Sequence, residues 1–353
     1  MRCVRVKIAL ISVLLAFCVL GCGQGVQSRS VHTRAVDRID TPGGMITYLE
    51  KQNLPALKFV DKWENKFGPG LRLVTEHYEI YTTLLEPLML SQVPGFVESC
   101  CRAYNNQLPA PVETTSRFTI YLFAKRSQWE NFTAGFAGRD APLYRKIKIG
   151  AYYLNGVCVA YNIGREKTFS VLGHEGWHQF NSRHWRYRLP SWLDEGIAML
   201  FEVNRYEAGL FYFEPAKNMY RLGPLKKAMG QNKIIPLGSL LAMNPGEVVG
   251  ADDDAASAFY SQSYALVRFL READYAKRLG NYQLLLVDGL NGEWALTDLQ
   301  RRIAADRNIP LTVQWNRVMG PKLFQDYMGD NIRQIEDEYL QFCRKIVYHV
   351  RLK

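Results

Sequence analysis

The chain has 353 residues, is 48% hydrophobic and 12% aromatic, and carries a formal charge of +10. That composition excludes a disordered chain, which lacks the apolar residues to bury a core, and the length suits one enlarged domain or two closely packed ones. The basic balance favours anionic surfaces or acidic substrates, but no nucleic-acid-binding motif accompanies it, so nucleic acid is not an expected partner.

Arg2, Arg5 and Lys7 precede an uncharged, mostly apolar run over residues 8–20. The run is too short for a membrane span and suits the apolar core of a signal peptide. It ends at Val19-Leu20-Gly21-Cys22, which resembles the bacterial lipobox, whose Cys is lipidated and becomes the mature N-terminus. Leu20 stands where Ala or Ser is more usual. An ordinary cleaved signal and an uncleaved anchor are the alternatives. The expectation is a lipoprotein leader over 1–21, acylation at Cys22 with attachment to a membrane, and a polar, flexible tether over 22–45. The protein would then sit outside the cytoplasm on the cell envelope. An oxidising compartment permits disulfides, but Cys100, Cys101, Cys158 and Cys343 allow three pairings, and buried thiols are an equal alternative.

Beyond the tether, polar and apolar residues alternate over 72–83, which predicts a strand. Residues 90–107 read as a helix, 117–123 as a buried strand, and 127–136 as a helix capped by Ser127. Gly150 to Tyr161 reads as a hairpin turning at Asn155-Gly156, and its first strand is a candidate edge for aligning an extended peptide. Next comes His174-Glu175-Gly176-Trp177-His178 inside a helical stretch. Residues i and i+4 share a helix face, so both imidazoles can reach one ion, with Glu175 beside a bound water as general base.

A zinc site of this kind needs a third protein ligand. The segment Pro190-Ser191-Trp192-Leu193-Asp194-Glu195-Gly196 supplies Glu195, with sixteen residues between it and His178. Ser191 reads as the N-cap of a second helix with Asp194 completing a capping box, and Gly196 as the point where the two helices approach closely. Ligating imidazoles usually hand their second N–H to a carboxylate. Asp194 and Glu202 are the nearest candidates, although Asp194 also reads as a cap and Glu202 as a helix-face charge. The basic run from Arg183 to Arg188, between the metal helices, reads as a cleft rim or as solvated charge. After Tyr206 the chain reads as mostly helical, notably over 222–229, 258–277, 297–305 and 332–347, with Asp252-Asp253-Asp254 capping the second of these.

H-E-x-x-H followed by W-L-x-E-G-x-A resembles the gluzincin metallopeptidases, the clan of aminopeptidase N and thermolysin, and most of all its small peptidase-MA-like members. The resemblance implies an α+β, zincin-like fold: a mixed sheet over the metal helix within 46–205, then a helical part over 206–353 that closes the cleft. It implies zinc on His174, His178 and Glu195, with Glu175 as base. Tyr260, in Phe259-Tyr260-Ser261-Gln262-Ser263-Tyr264-Ala265-Leu266, matches the clan's tyrosine that stabilises the tetrahedral intermediate; it reads equally as an aromatic core residue. The clan's aminopeptidases hold the substrate amine with a Glu in a G-x-M-E-N strand, and the 150–161 hairpin has no acid. The expected function is therefore an anchored zinc metallopeptidase acting on peptide or protein as an endopeptidase or narrow-specificity hydrolase. The alternatives are an inactive relative that binds peptide or envelope material, and a purely structural lipoprotein.

Overall fold

In the computed structural model, residues 40–351 are described, apart from 148–149, 247–252 and 308–311. The leader, Cys22 and most of the tether lie outside the described residues. The tether's last residues do not: Thr41 caps helix α1 (Pro42–Glu50) through its side-chain oxygen, because Pro at the first helical position is already set for a helix.

The first half alternates strands and helices. β1 (Phe59–Lys62), β2 (Leu71–Val74) and β3 (Tyr78–Thr82) precede helix α2 (Pro87–Asn105) and β4 (Phe118–Phe123). α3 (Arg126–Phe136) and the short α4 (Ala141–Tyr144) lead to β5 (Ala151–Leu154) and β6 (Val157–Tyr161). The single strand expected over 72–83 is two antiparallel strands. The Thr75 side chain accepts from the Tyr78 N–H and closes a turn between them, and the period-2 alternation runs through that turn. Ser127 does not cap α3; the Gln128 side chain accepts from the Lys125 N–H instead.

The strands form one mixed sheet in the order β1-β2-β3-β4-β6-β5. β3, β4 and β6 run parallel, and β5 returns antiparallel along β6 as the sheet's edge. The turn between β5 and β6 is where the sequence places it, with Asn155 at φ 50° and Gly156 at φ 83°. Alternation sorts the sheet's faces. Ile80, Ile120, Leu122 and Cys158 enter the main core, while Phe123, Val159 and Tyr161 pack with Trp129 and Tyr152 in a second cluster.

Two helices follow, α5 (Arg165–His184) and α6 (Ser191–Ala198). α5 lies against the main-core face of the sheet, pinned where the Gln179 amide donates to the Thr119 and Gly156 carbonyls, each at 2.8 Å. The part expected to be helical opens instead with a second hairpin, β7 (Asn204–Glu207) and β8 (Leu210–Phe213), turning at Ala208-Gly209. Then come α7 (Met219–Gly230), α8 (Leu237–Ala242), α9 (Asp253–Ala276), α10 (Leu279–Asn291), α11 (Asp298–Ala305), α12 (Thr312–Met328) and α13 (Ile332–Ile346). The molecule is thus α+β, with a six-stranded mixed sheet and a mostly helical C-terminal part. One buried cluster runs from Met45 to Val350 across both parts. The four described cysteines are free buried thiols, and among the described residues no helix is long and apolar enough to cross a membrane.

Candidate metal centre

α5 is the frame of the site. Its residues from Thr168 to Asn181 are nearly all buried, so a polar residue there needs a partner or a ligand. Gly173 gives the helix its depth: a Cβ there would lie 2.4 Å from the Phe201 carbonyl oxygen. Gly196 serves a different contact from the expected one. A Cβ on it would meet Val267 at 2.5 Å and the Ser263 carbonyl at 2.6 Å, so the close approach is between α6 and α9, not between α6 and α5.

His174 and His178 lie one turn apart on α5, with ring centroids 5.1 Å apart. Glu195, in the second turn of α6, meets both: one carboxylate oxygen is 3.3 Å from His174 Nε2 and 3.8 Å from His178 Nε2. The three ligand atoms lie within 4.8 Å of one another, and all three residues are buried. His174 Nε2 and both Glu195 carboxylate oxygens make no hydrogen bond, although they are shielded from solvent. Orphaned buried atoms of this kind are costly unless something binds them. Two imidazoles and a carboxylate are a donor set that suits zinc. The residues therefore fit a metal ion of this class.

Each imidazole is braced from behind. His178 Nδ1 lies 3.1 Å from Asp194 Oδ1, an atom that also accepts from Trp177 Nε1 and Asn181 Nδ2, each at 2.9 Å. His174 Nδ1 lies 2.9 Å from Glu202 Oε1. Glu202 in turn accepts from Asn218 Nδ2 at 2.7 Å, from Arg221 Nε at 2.8 Å and from Arg221 Nη2. Asp194 and Glu202 are thus second-layer partners of the imidazoles. Asp194 is not the cap of α6, nor is Ser191: that helix starts after Pro190 without a side-chain cap. Asn316 from α12 takes the Ser191 N–H at 2.7 Å and donates to its hydroxyl at 2.7 Å.

Burial disfavours charge on either imidazole, yet the carboxylates outweigh it. Glu195 and Glu202 hold His174 up at about 10, and Asp194 and Glu195 hold His178 up at about 9. The pocket therefore demands positive charge, which a metal ion supplies while displacing protons. Burial opposes ionisation of Glu202 too, but Arg221 and His174 bring it down to about 2.

Glu175 is buried beside the two imidazoles, and its carboxylate accepts from the backbone N–H of Tyr153 on β5. Burial pushes it up to about 7, against the pull of His174 and His178. A carboxyl poised near neutrality suits proton transfer in both directions. Tyr260, on α9, is buried, and the Arg221 guanidinium carbon lies 5.5 Å from its ring centroid. The tyrosine thereby reaches the centre's support, one side chain removed from Glu202.

In the basic run, Arg183, in the last turn of α5, and Arg188 make their contacts away from the three candidate ligands. Arg183 lies 4.1 Å over the Phe118 ring, and Arg188 is buried and donates to the Asp306 carbonyl. Asp254 pairs with Lys227 and Lys233, each at 3.1 Å. Sequence reasoning missed Asn218 and Arg221 altogether; both arrive from the far side of the β7–β8 hairpin, and no local spacing marks them. Compared with models of known protein families and with curated proteins, the chain matches none.

Proposed function

We propose that this chain is a zinc-dependent peptidase of the gluzincin kind, zincin-like in architecture, held outside the cytoplasm by a lipid on Cys22. The observation that carries the reading is the convergence of His174, His178 and Glu195 with orphaned buried ligand atoms. His174, His178 and Glu195 would hold the zinc, which would supply Lewis acidity and acidify a bound water. Asp194 and Glu202 accept the Nδ1–H of the imidazoles, which fixes the tautomer and leaves Nε2 as the ligand atom. Glu175, held in place by the Tyr153 N–H, takes a proton from the attacking water and returns it to the leaving amine. Tyr260 donates to the oxyanion as it develops. The β5 edge aligns an extended substrate. No acid on the β5–β6 hairpin is placed to hold a free substrate amine, which favours an endopeptidase or narrow-specificity hydrolase over an aminopeptidase.

The test is a peptide-library digest by the purified mature chain, with and without chelator, beside Glu175→Gln. The parent should cut, chelator should stop it and zinc restore it. The variant should keep zinc and lose roughly 10²–10⁴-fold in turnover. Equal cutting by parent and variant overturns the base assignment. A parent that binds zinc and cuts nothing leaves the inactive, peptide-binding relative.

A further inference from the structure

The metal-facing stripe of α5 continues past the histidines toward the helix's N-terminus. Val171, Ser170 and Lys167 stand three, four and seven residues before His174, and those spacings keep them on the same face. The three residues line a cavity of about 440 Å³, whose far wall is Asn204 and Tyr206 of β7 together with Met219 and Tyr220 of α7. Glu202, which braces His174, also borders this cavity. The cavity therefore reaches the carboxylate that braces His174, while His174, Glu175, His178 and Glu195 themselves are not in its lining.

Its chemistry is mixed in a directed way. Phe169 and Val171 are buried in its wall, while Tyr206, Met219 and Tyr220 are 42%, 50% and 57% exposed. Large apolar side chains left open around a concavity mark a binding surface. Arg165, Lys167 and Lys217 also line it. Of the acids there, Glu202 is already met by Arg221, Asn218 and His174, which leaves Glu166 against three cations. Lys217 is held by Glu214 and Arg165 Nε by Gln92. Lys167 is exposed and makes no ion pair or hydrogen bond among the described residues.

The edge strand gives the direction. β5 is the sheet's edge, paired on one side only, with β6; the Tyr153 backbone hydrogen-bonds Glu175, and alternation turns the peptide groups of Ala151, two residues back, the same way. A chain added antiparallel to β5 runs from Leu154 toward Gly150. A Cβ on Gly150 would touch Val171 Cγ1 at 3.2 Å, so the C-terminal side of that chain arrives at Val171 and the cavity. Lys167 lies roughly 10 Å along the helix from His174, taking 1.5 Å per residue over seven residues. At about 3.4 Å per residue, an extended peptide covers that distance in roughly three residues.

We propose that this cavity takes the leaving, C-terminal side of the substrate and selects a carboxylate about two to three residues past the scissile bond, with Lys167 as its partner. The carboxylate belongs either to the substrate's C-terminus or to an Asp or Glu side chain. The inference rests on the peptidase reading above. The test uses matched quenched-fluorescence peptides on the zinc-loaded mature chain: free acid, C-terminal amide, and pairs with Glu or Gln at the third position past the cut. The parent should favour a carboxylate by about tenfold in kcat/KM, mostly through KM, as one charged hydrogen bond allows. A gain confined to the free acid identifies the terminus, and one confined to Glu over Gln identifies the side chain. In Lys167→Ala that ratio should collapse toward one, and in Lys167→Glu it should invert. Fluorescence anisotropy on Glu175→Gln, which binds without cutting, repeats the comparison when no peptide is cleaved. That separates the subsite from the hydrolytic reading. Equal handling of carboxylate and neutral peptides in both assays overturns the proposal, as does a preference that survives in Lys167→Glu.

Discussion

The two imidazoles of the centre are anchored by opposite means. His178 is braced locally: Asp194, Trp177 and Asn181 all come from α5 and α6, within twenty residues of one another. His174 is braced across the molecule, through Glu202 to Asn218 and Arg221 on the far side of the β7–β8 hairpin. The difference is one of electrostatics as well as distance. Asp194 is satisfied by neutral donors and an imidazole, whereas Glu202 faces a buried guanidinium. The His174 side therefore ties the metal helix to the helical half of the fold, and breaking it should disturb both binding and stability.

The largest expected effect follows from removing the cation. Arg221→Leu leaves Glu202 buried without its counter-charge, and should lower unfolding free energy by about 3–5 kcal/mol in urea titrations. A loss no larger than that of a surface substitution breaks the contrast. Glu202→Gln should weaken zinc by roughly 10–100-fold in a competition titration with a chromogenic chelator. Asp194→Asn should weaken it less, since it strands no buried guanidinium; the reverse order contradicts the long-range reading. Asn181→Ala, which removes one of three donors to Asp194, should cost about 1 kcal/mol.

The smallest effect is in pH. His184 ends α5 beside Phe180 and Phe118, and burial, then Arg183, lowers it to about 4. Between pH 6.5 and about 4 the unfolded chain takes up a proton that the folded one refuses, so stability should fall as pH falls through that window. Glu202 works the opposite way in charge but the same way in pH: its folded value of about 2 contributes stability above 4.5 that is lost on further acidification. Relative to His184→Gln, the parent's urea midpoint should therefore drop between pH 7 and 5, while the decline below 4.5 is common to both.

What could be read in the sequence follows the same division. The H-E-x-x-H spacing, the Asn155-Gly156 turn and Glu195 depend on local periodicity and turn chemistry, and the structure brings the three ligand residues together. The strand expected over 72–83 breaks in two because alternation continues through the Thr75–Tyr78 turn. Ser191 and Asp194 have the spacing of a capping box, but α6 starts without one: Asn316, from 125 residues away, accepts the Ser191 N–H, and Asp194 turns inward to His178. Glu202 has the look of a surface charge until Arg221 is folded against it. Partners that arrive through tertiary packing leave no periodic trace in one sequence.

The central claim is that His174, His178 and Glu195 close on one zinc ion. Zinc quantification with X-ray absorption at the zinc edge, on the purified protein, tests it most directly. The account predicts one zinc per chain with two imidazoles in its shell, and loss of that stoichiometry in Glu195→Ala. Metal-free protein after zinc loading, or zinc bound without imidazole scattering, would contradict it.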